Sequence, residues 1–199
     1  MNLTVREMER VQSLIEEGVV RSADRLGKLS HTQWGVMSSS TSEMPAVRLL
    51  SWFQRAKDDH VAATLRASGD IPTEAVLIFS AKSAAAVADA VTQPWAERMK
   101  SLPNLVELTI GEVSNILAQS IIGALADQFE KTVILSVPEV ARGPKVDLMA
   151  RALERYDGRK DLLLMSHVEM YSTDLAADCA MVLIVDSATL QSLVKAQPV

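Results

Sequence analysis

Hydrophobic and polar positions follow a helical period most clearly between Leu105 and Ala126. Wound at about 100° per residue, this stretch puts Ile110, Val113, Leu117, Ile121, Ala124 and Leu125 on one face, the apolar stripe of a helix that packs on a core. The opposite arc carries Glu112, Asn115 and Gln119 at spacings of three and four, followed by Gly123 and Ala126. Solvated helix faces usually carry Lys, Glu and Arg. A carboxylate, two amides and then small residues would instead let another surface approach the backbone.

The same reading predicts an amphipathic helix over residues 3–29. Thr4-Val5-Arg6-Glu7 has capping-box form, and Val5, Met8, Val11, Ile15, Val19 and Leu26 supply its stripe. A turn at Gly27 to His31, a short strand near Gln33 to Met37, a loop through the Ser38 to Ser42 run and a helix from Pro45 through Arg48 to Lys57 follow. His60 to Leu65 and Ala75 to Phe79, joined through Gly69-Asp70-Ile71-Pro72, predict a hairpin, with a helix at Ser83 to Val91 behind it. Beyond the helix at 105, the pattern predicts a strand at Thr132 to Val137, a loop opening at Pro138, a turn at Gly143-Pro144-Lys145 and a helix from Val146 to Tyr156. Strands at Leu162 to Met165, extending towards Met170, and at Ala180 to Val185 precede a closing helix from Ala188 to Lys195.

The order of elements recurs. Val76-Leu77-Ile78-Phe79-Ser80 overlays Val182-Leu183-Ile184-Val185-Asp186, each followed by a short helix. The expectation is a single α+β domain over residues 1–199, a tandem duplication of halves at about 1–93 and 94–199 that meet near Gln93-Pro94 about a pseudo-twofold axis. With about three strands in each half, one antiparallel sheet of about six strands is expected, and its near-continuous apolar strands imply cover on both faces.

Composition narrows the classes. At 199 residues and 48% hydrophobic the chain can bury a sizeable core. No apolar run approaches a membrane span, and Met1 to Glu7 lacks a signal peptide's apolar stretch, so a cytoplasmic protein without membrane association is expected. A net charge of −5 with 20 scattered basic residues argues against nucleic-acid binding. The lone Cys179 reads as a core residue, and His31, His60 and His167 have no Cys or His at ligand spacing, so no metal site is expected. Trp34, Trp52 and Trp95 read as packing residues, and no glycine-rich phosphate loop is present.

Glu112-Val113-Ser114-Asn115 is followed, after 22 residues, by Pro138 within Ser136-Val137-Pro138-Glu139-Val140. With Gly69-Asp70-Ile71 before a strand and the duplicated order of elements, this pattern resembles the CheC/CheX/FliY family of chemotaxis phosphatases, and in organisation a stand-alone CheC. The family pattern is an acidic residue, two spacers, an asparagine, and a proline about two dozen residues on. The resemblance implies hydrolysis of the aspartyl phosphate on a CheY-type response regulator. Glu112 would pair with the partner's lysine, Asn115 would hold the attacking water, and Gln119 and Gly123 would meet the partner. It implies no cofactor of the chain's own, since the phosphorylated partner brings Mg²⁺, and a CheD-type deamidase as a further partner.

The chain departs from the family pattern in two respects. Leu108 stands where Asp or Ser is common, and superposing the helices puts Ser13 at the place of Glu112, Glu16 at that of Asn115 and Ser39 at that of Pro138. A carboxylate beside a phosphoryl group repels it, so one intact site, in the second half, is expected. Three other readings stand beside this one. Thr109 and Glu112 could form a capping box if the helix began at Ile110, although Pro103 suits an earlier start. A binding adaptor of the same fold could have lost the chemistry and kept the regulator or a deamidase as partner. A deep pocket between the halves would mark an unrelated ligand-binding domain.

Overall fold

Thr4 caps the first helix as its sequence requires. Its hydroxyl accepts from Glu7 N, while the Glu7 carboxylate accepts from Thr4 N at 2.7 Å. The computed structural model describes residues 3–55, 58–99, 101–173 and 175–195; the side chains of residues 38–40 lie outside the described ones. The elements run α1 (Val5–Ser30), β1 (Gly35–Glu43), α2 (Ala46–Phe53), β2 (Asp59–Gly69), β3 (Thr73–Ser80), α3 (Ala81–Thr92), α4 (Ala96–Met99), α5 (Leu105–Gln128), β4 (Val133–Leu135), β5 (Glu139–Pro144), α6 (Lys145–Ala152), β6 (Asp161–Ser172), β7 (Leu175–Asp186) and α7 (Ser187–Lys195).

The seven strands form one antiparallel sheet in the order β1-β6-β7-β3-β2, with β5 and the short β4 sharing the far edge of β2. Read outward from the β3–β7 pair, each side presents the same series: β3, β2, β5 on one and β7, β6, β1 on the other. Val76 and Val182, equivalent in the sequence overlay, pair directly across the centre of the sheet. Ser80 and Asp186, also equivalent, cap the next helix alike. Ser83 N donates to Ser80 Oγ at 3.0 Å, and Thr189 N donates to Asp186 Oδ1 at 2.6 Å. Pro45 and Pro144 match too, each in extended conformation at the entry to a short helix. The chain thus has the α+β, pseudo-twofold architecture expected of it.

Both faces of the sheet are covered. One carries α1, α3, α5 and α7, with Ile15, Leu26, Leu77, Phe79, Ile110, Leu117 and Ile121 in its core; the other carries α2 and α6 over Phe53, Val76, Met149 and Val182. Each fully buried Leu, Ile or Val in these layers stabilises the fold by about 1.5–3 kcal/mol. By length and composition α5 could cross a membrane, but 67% of its most apolar window is buried in this core.

Several elements differ from the sequence reading. The Ser38 to Ser42 run is strand, not loop: β1 continues through it with a bulge between Ser38 and Ser40, and the Thr41 hydroxyl meets that of Ser166 at 2.7 Å. The segment after Pro138 is also strand, because the outer edge of β2 offers it a ladder from Glu139 to Pro144. Helix α2 stops at Phe53, short of Lys57, which lies outside the described residues. Helix α6 ends at Ala152, followed by one 3₁₀ turn.

Candidate functional site

Asn104, in a left-handed conformation (φ 57°), opens α5 without a side-chain cap, and Pro103 precedes the helix. The Thr109 hydroxyl donates back to Leu105 O at 2.8 Å, one turn inside the helix. The capping-box reading of Thr109 and Glu112 therefore fails: Glu112 lies nearly two turns in and has no terminal amide to serve.

The inward face of α5 is the expected one. Ile110, Val113, Leu117, Ile121, Ala124 and Leu125 are all buried, and so is Ser114, between the two motif residues. Outward, Glu112 and Gln119 are exposed and Asn115 is half-buried. Among the described residues the Glu112 carboxylate has no hydrogen-bond or ion-pair partner. Gly123 is half-buried, and a Cβ placed on it would meet nothing within 4 Å, so its stretch of backbone is open to an approaching surface. Ala126, expected on the same face, is buried instead. Phe129 N and Lys131 N both bond to Ala126 O, and Glu130 turns left-handed (φ 52°), so a Schellman closure folds the chain back over this residue.

Pro138 is brought to the motif. A Cβ on Gly111 would stand 3.9 Å from Pro138 Cβ and 3.3 Å from Val140 Cγ2, so the missing side chain of Gly111 admits the start of β5 against the helix. The Arg142–Glu107 ion pair at 3.1 Å ties the same strand to the first turn of α5. Two solvent-facing apolar residues flank this region: Leu108, one turn before Glu112, at 57% exposed, and Val137, next to Pro138, at 83%. The site is a helix face with an apolar flank, not a cavity. A groove of about 630 Å³ lies elsewhere, among Ser42, Met44, Arg48, Trp52, Arg55 and Met165 on the α2 side of the sheet.

Helix α1 runs antiparallel to α5 and contributes what sequence reasoning missed. Arg25 Nη1 donates to Gln119 Oε1 at 3.5 Å, and Gln119 Nε2 donates to Asn115 Oδ1 at 3.2 Å. Arg21 bridges Glu17 at 2.5 Å and Asp127 at 3.3 Å further along. No local motif marks Arg25; its role follows from the packing of the two helices. The first-half counterpart is built differently. Ser13 is exposed, and Glu16 is half-buried and accepts from Gln12 Nε2 at 3.0 Å. Gln12 stands where α5 has Gly111, so the gap that admits Pro138 has no equivalent. Ser39 lies in β1, and its side chain is outside the described ones.

No family model matches the chain, and no curated protein matches it. Solved structures do. FliY of Thermotoga maritima superposes with a TM-score of 0.75 at 15% identity, covering 98% of this chain and 97% of that one. The FliM middle domain from H. pylori gives 0.66 at 7%, covering 97% and 99%. CheX from Borrelia burgdorferi, solved in a CheX-CheY-BeF3-Mg²⁺ complex, gives 0.51 at 14%, covering 84% and 96%. At such identities the likeness is one of fold: the chain has the CheC/CheX/FliY fold along nearly its whole length.

Proposed function

We propose that this chain is a CheC-like phosphatase that hydrolyses the aspartyl phosphate of a CheY-type response regulator through the single site Glu112/Asn115. The observation that carries the reading is the outward pair itself: a carboxylate without a partner among the described residues and an amide one turn apart, on a helix face with open backbone at Gly123 and an apolar flank at Leu108 and Val137. A fold neighbour seen in complex with CheY supports the class of partner.

An acyl phosphate is already activated, so the protein's task is to position groups. Glu112 pairs with a cation of the docked regulator and fixes its register. Asn115 Oδ1 accepts a hydrogen bond from a water, which turns a water lone pair towards phosphorus. The water oxygen bonds to phosphorus as the bond to the aspartyl oxygen breaks. The electron pair leaves with the aspartyl carboxylate, and the water's proton passes to phosphate and solvent. Mg²⁺ belongs to the regulator's own acidic site, and the described residues of this chain bring no cluster of three metal-ligating side chains together.

A second reading is a non-catalytic adaptor of this fold that binds a response regulator or a CheD-type deamidase. The altered first-half site favours it, as does the likeness to a chain solved in a FliG-FliM complex. One experiment separates the two. Regulator charged with acetyl phosphate is freed of the donor and mixed with the protein, and both complex formation and phosphoryl loss are followed. Accelerated loss is the expected result; binding without acceleration would establish the adaptor and overturn the phosphatase.

A further inference from the structure

We infer that Gln119 and, behind it, Arg25 are positioning residues that set which side of the Asn115 amide carries its oxygen. This inference rests on the phosphatase reading of the same site. An asparagine amide has two ends of nearly equal shape, one accepting and one donating, and its terminal torsion is broad and roughly two-fold. On an otherwise bare helix face both orientations would be populated. In one, Oδ1 can accept a hydrogen bond from the attacking water. In the other, two N–H groups are aimed at the lone pair that must reach phosphorus.

The structure breaks this symmetry with a chain of donors. Gln119 Nε2 donates to Asn115 Oδ1 at 3.2 Å, which holds the oxygen on the C-terminal side of the site and leaves the amide nitrogen on the side of Glu112. A carbonyl oxygen has two acceptor positions, so Oδ1 keeps one for the water. The nitrogen is then free to donate to a phosphoryl oxygen, where charge develops. Gln119 has the same two-ended ambiguity, and Arg25 resolves it. Arg25 Nη1 donates to Gln119 Oε1 at 3.5 Å, and a guanidinium has no acceptor with which to support the reversed form. Helix α1, whose own site is altered, therefore directs the site on α5.

The test uses the full-length protein and phosphorylated regulator. Gln119→Glu can accept from Arg25 but can donate nothing to Asn115, so it should reverse the Asn115 amide. We expect kcat to fall about tenfold or more with KM within about twofold, the scale of one lost directed hydrogen bond in a transition state. Gln119→Leu, which removes the bias without reversing it, should lose less. Arg25→Ala should lower kcat in the wild-type background and have no further effect on Gln119→Leu, while Arg25→Lys, still a donor that cannot accept, should retain most of the rate. Independently of turnover, the Asn115 side-chain amide resonances should move in Gln119→Glu while backbone resonances elsewhere stay in place. Unmoved resonances, a kcat equal to wild type in Gln119→Glu, or an Arg25→Ala effect that persists in Gln119→Leu would overturn the relay. A wild-type protein without phosphatase activity would overturn the reading beneath it instead.

Discussion

Gly18 of α1 and Ile121 of α5 meet backbone to backbone. A methyl on Gly18 would lie 2.4 Å from Ile121 Cα and 2.7 Å from Ser120 O. No rotamer change relieves a contact with main-chain atoms, so Gly18→Ala must part the two helices. The alanine gains about 1 kcal/mol of helix propensity, against about 1–3 kcal/mol for forcing the packing apart, with backbone contact at the upper end. A net fall in stability is expected, read as a lower urea midpoint at unchanged slope. An equal or higher midpoint would show that the helices do not pack this closely.

Gly123 offers the opposite test, because it lies in open space within the same helix. Gly123→Ala should raise stability by about 0.5–1 kcal/mol through helix propensity alone. Gly123→Trp should fold normally and weaken regulator binding about tenfold or more, the side chain occupying the place of the partner. Binding unchanged by the tryptophan would move the docking surface elsewhere.

Leu108 and Val137 are exposed and hold little of the fold together. Val137→Asp should leave the melting temperature nearly unchanged, as surface substitutions usually shift stability by about 0.5 kcal/mol or less. If the side chain is buried on docking, its loss should raise KM about tenfold, equivalent to about 1.4 kcal/mol, with kcat preserved.

Cys179 sits in β7 at 1% exposure, where burial pushes its thiol well above the ordinary range. The native protein should resist alkylation at neutral pH, and the thiol should become fully reactive in denaturant. Rapid labelling of the native state would contradict the burial of this strand.

What the sequence made legible was set by local chemistry and by repetition. The capping box at Thr4 and the buried stripe of α5 depend on residues near one another in the chain, the Val76/Val182 overlay depends on repetition, and each appears in the fold. The edge strands were less legible. β1 runs through a serine stretch whose strand character comes from its ladder with β6, and β5 ends in Gly143-Pro144, which alone reads as a turn. A helical wheel placed Ala126 on the open face because it takes no account of the chain folding back at Glu130. At the site, Glu112, Asn115, Gln119 and Gly123 could be placed by spacing. Arg25 could not, because only the antiparallel contact of α1 with α5 brings it to Gln119.

The most direct measurement is the single-turnover decay of phosphorylated regulator in the presence of saturating wild-type protein or Asn115→Ala. The side chain is half-buried on a helix whose core does not use it, so the variant should fold and bind as wild type does. Decay slower by about 10²-fold is expected, since one well-placed polar group is removed from the reacting centre. Decay at the wild-type rate, with binding intact, would contradict the account.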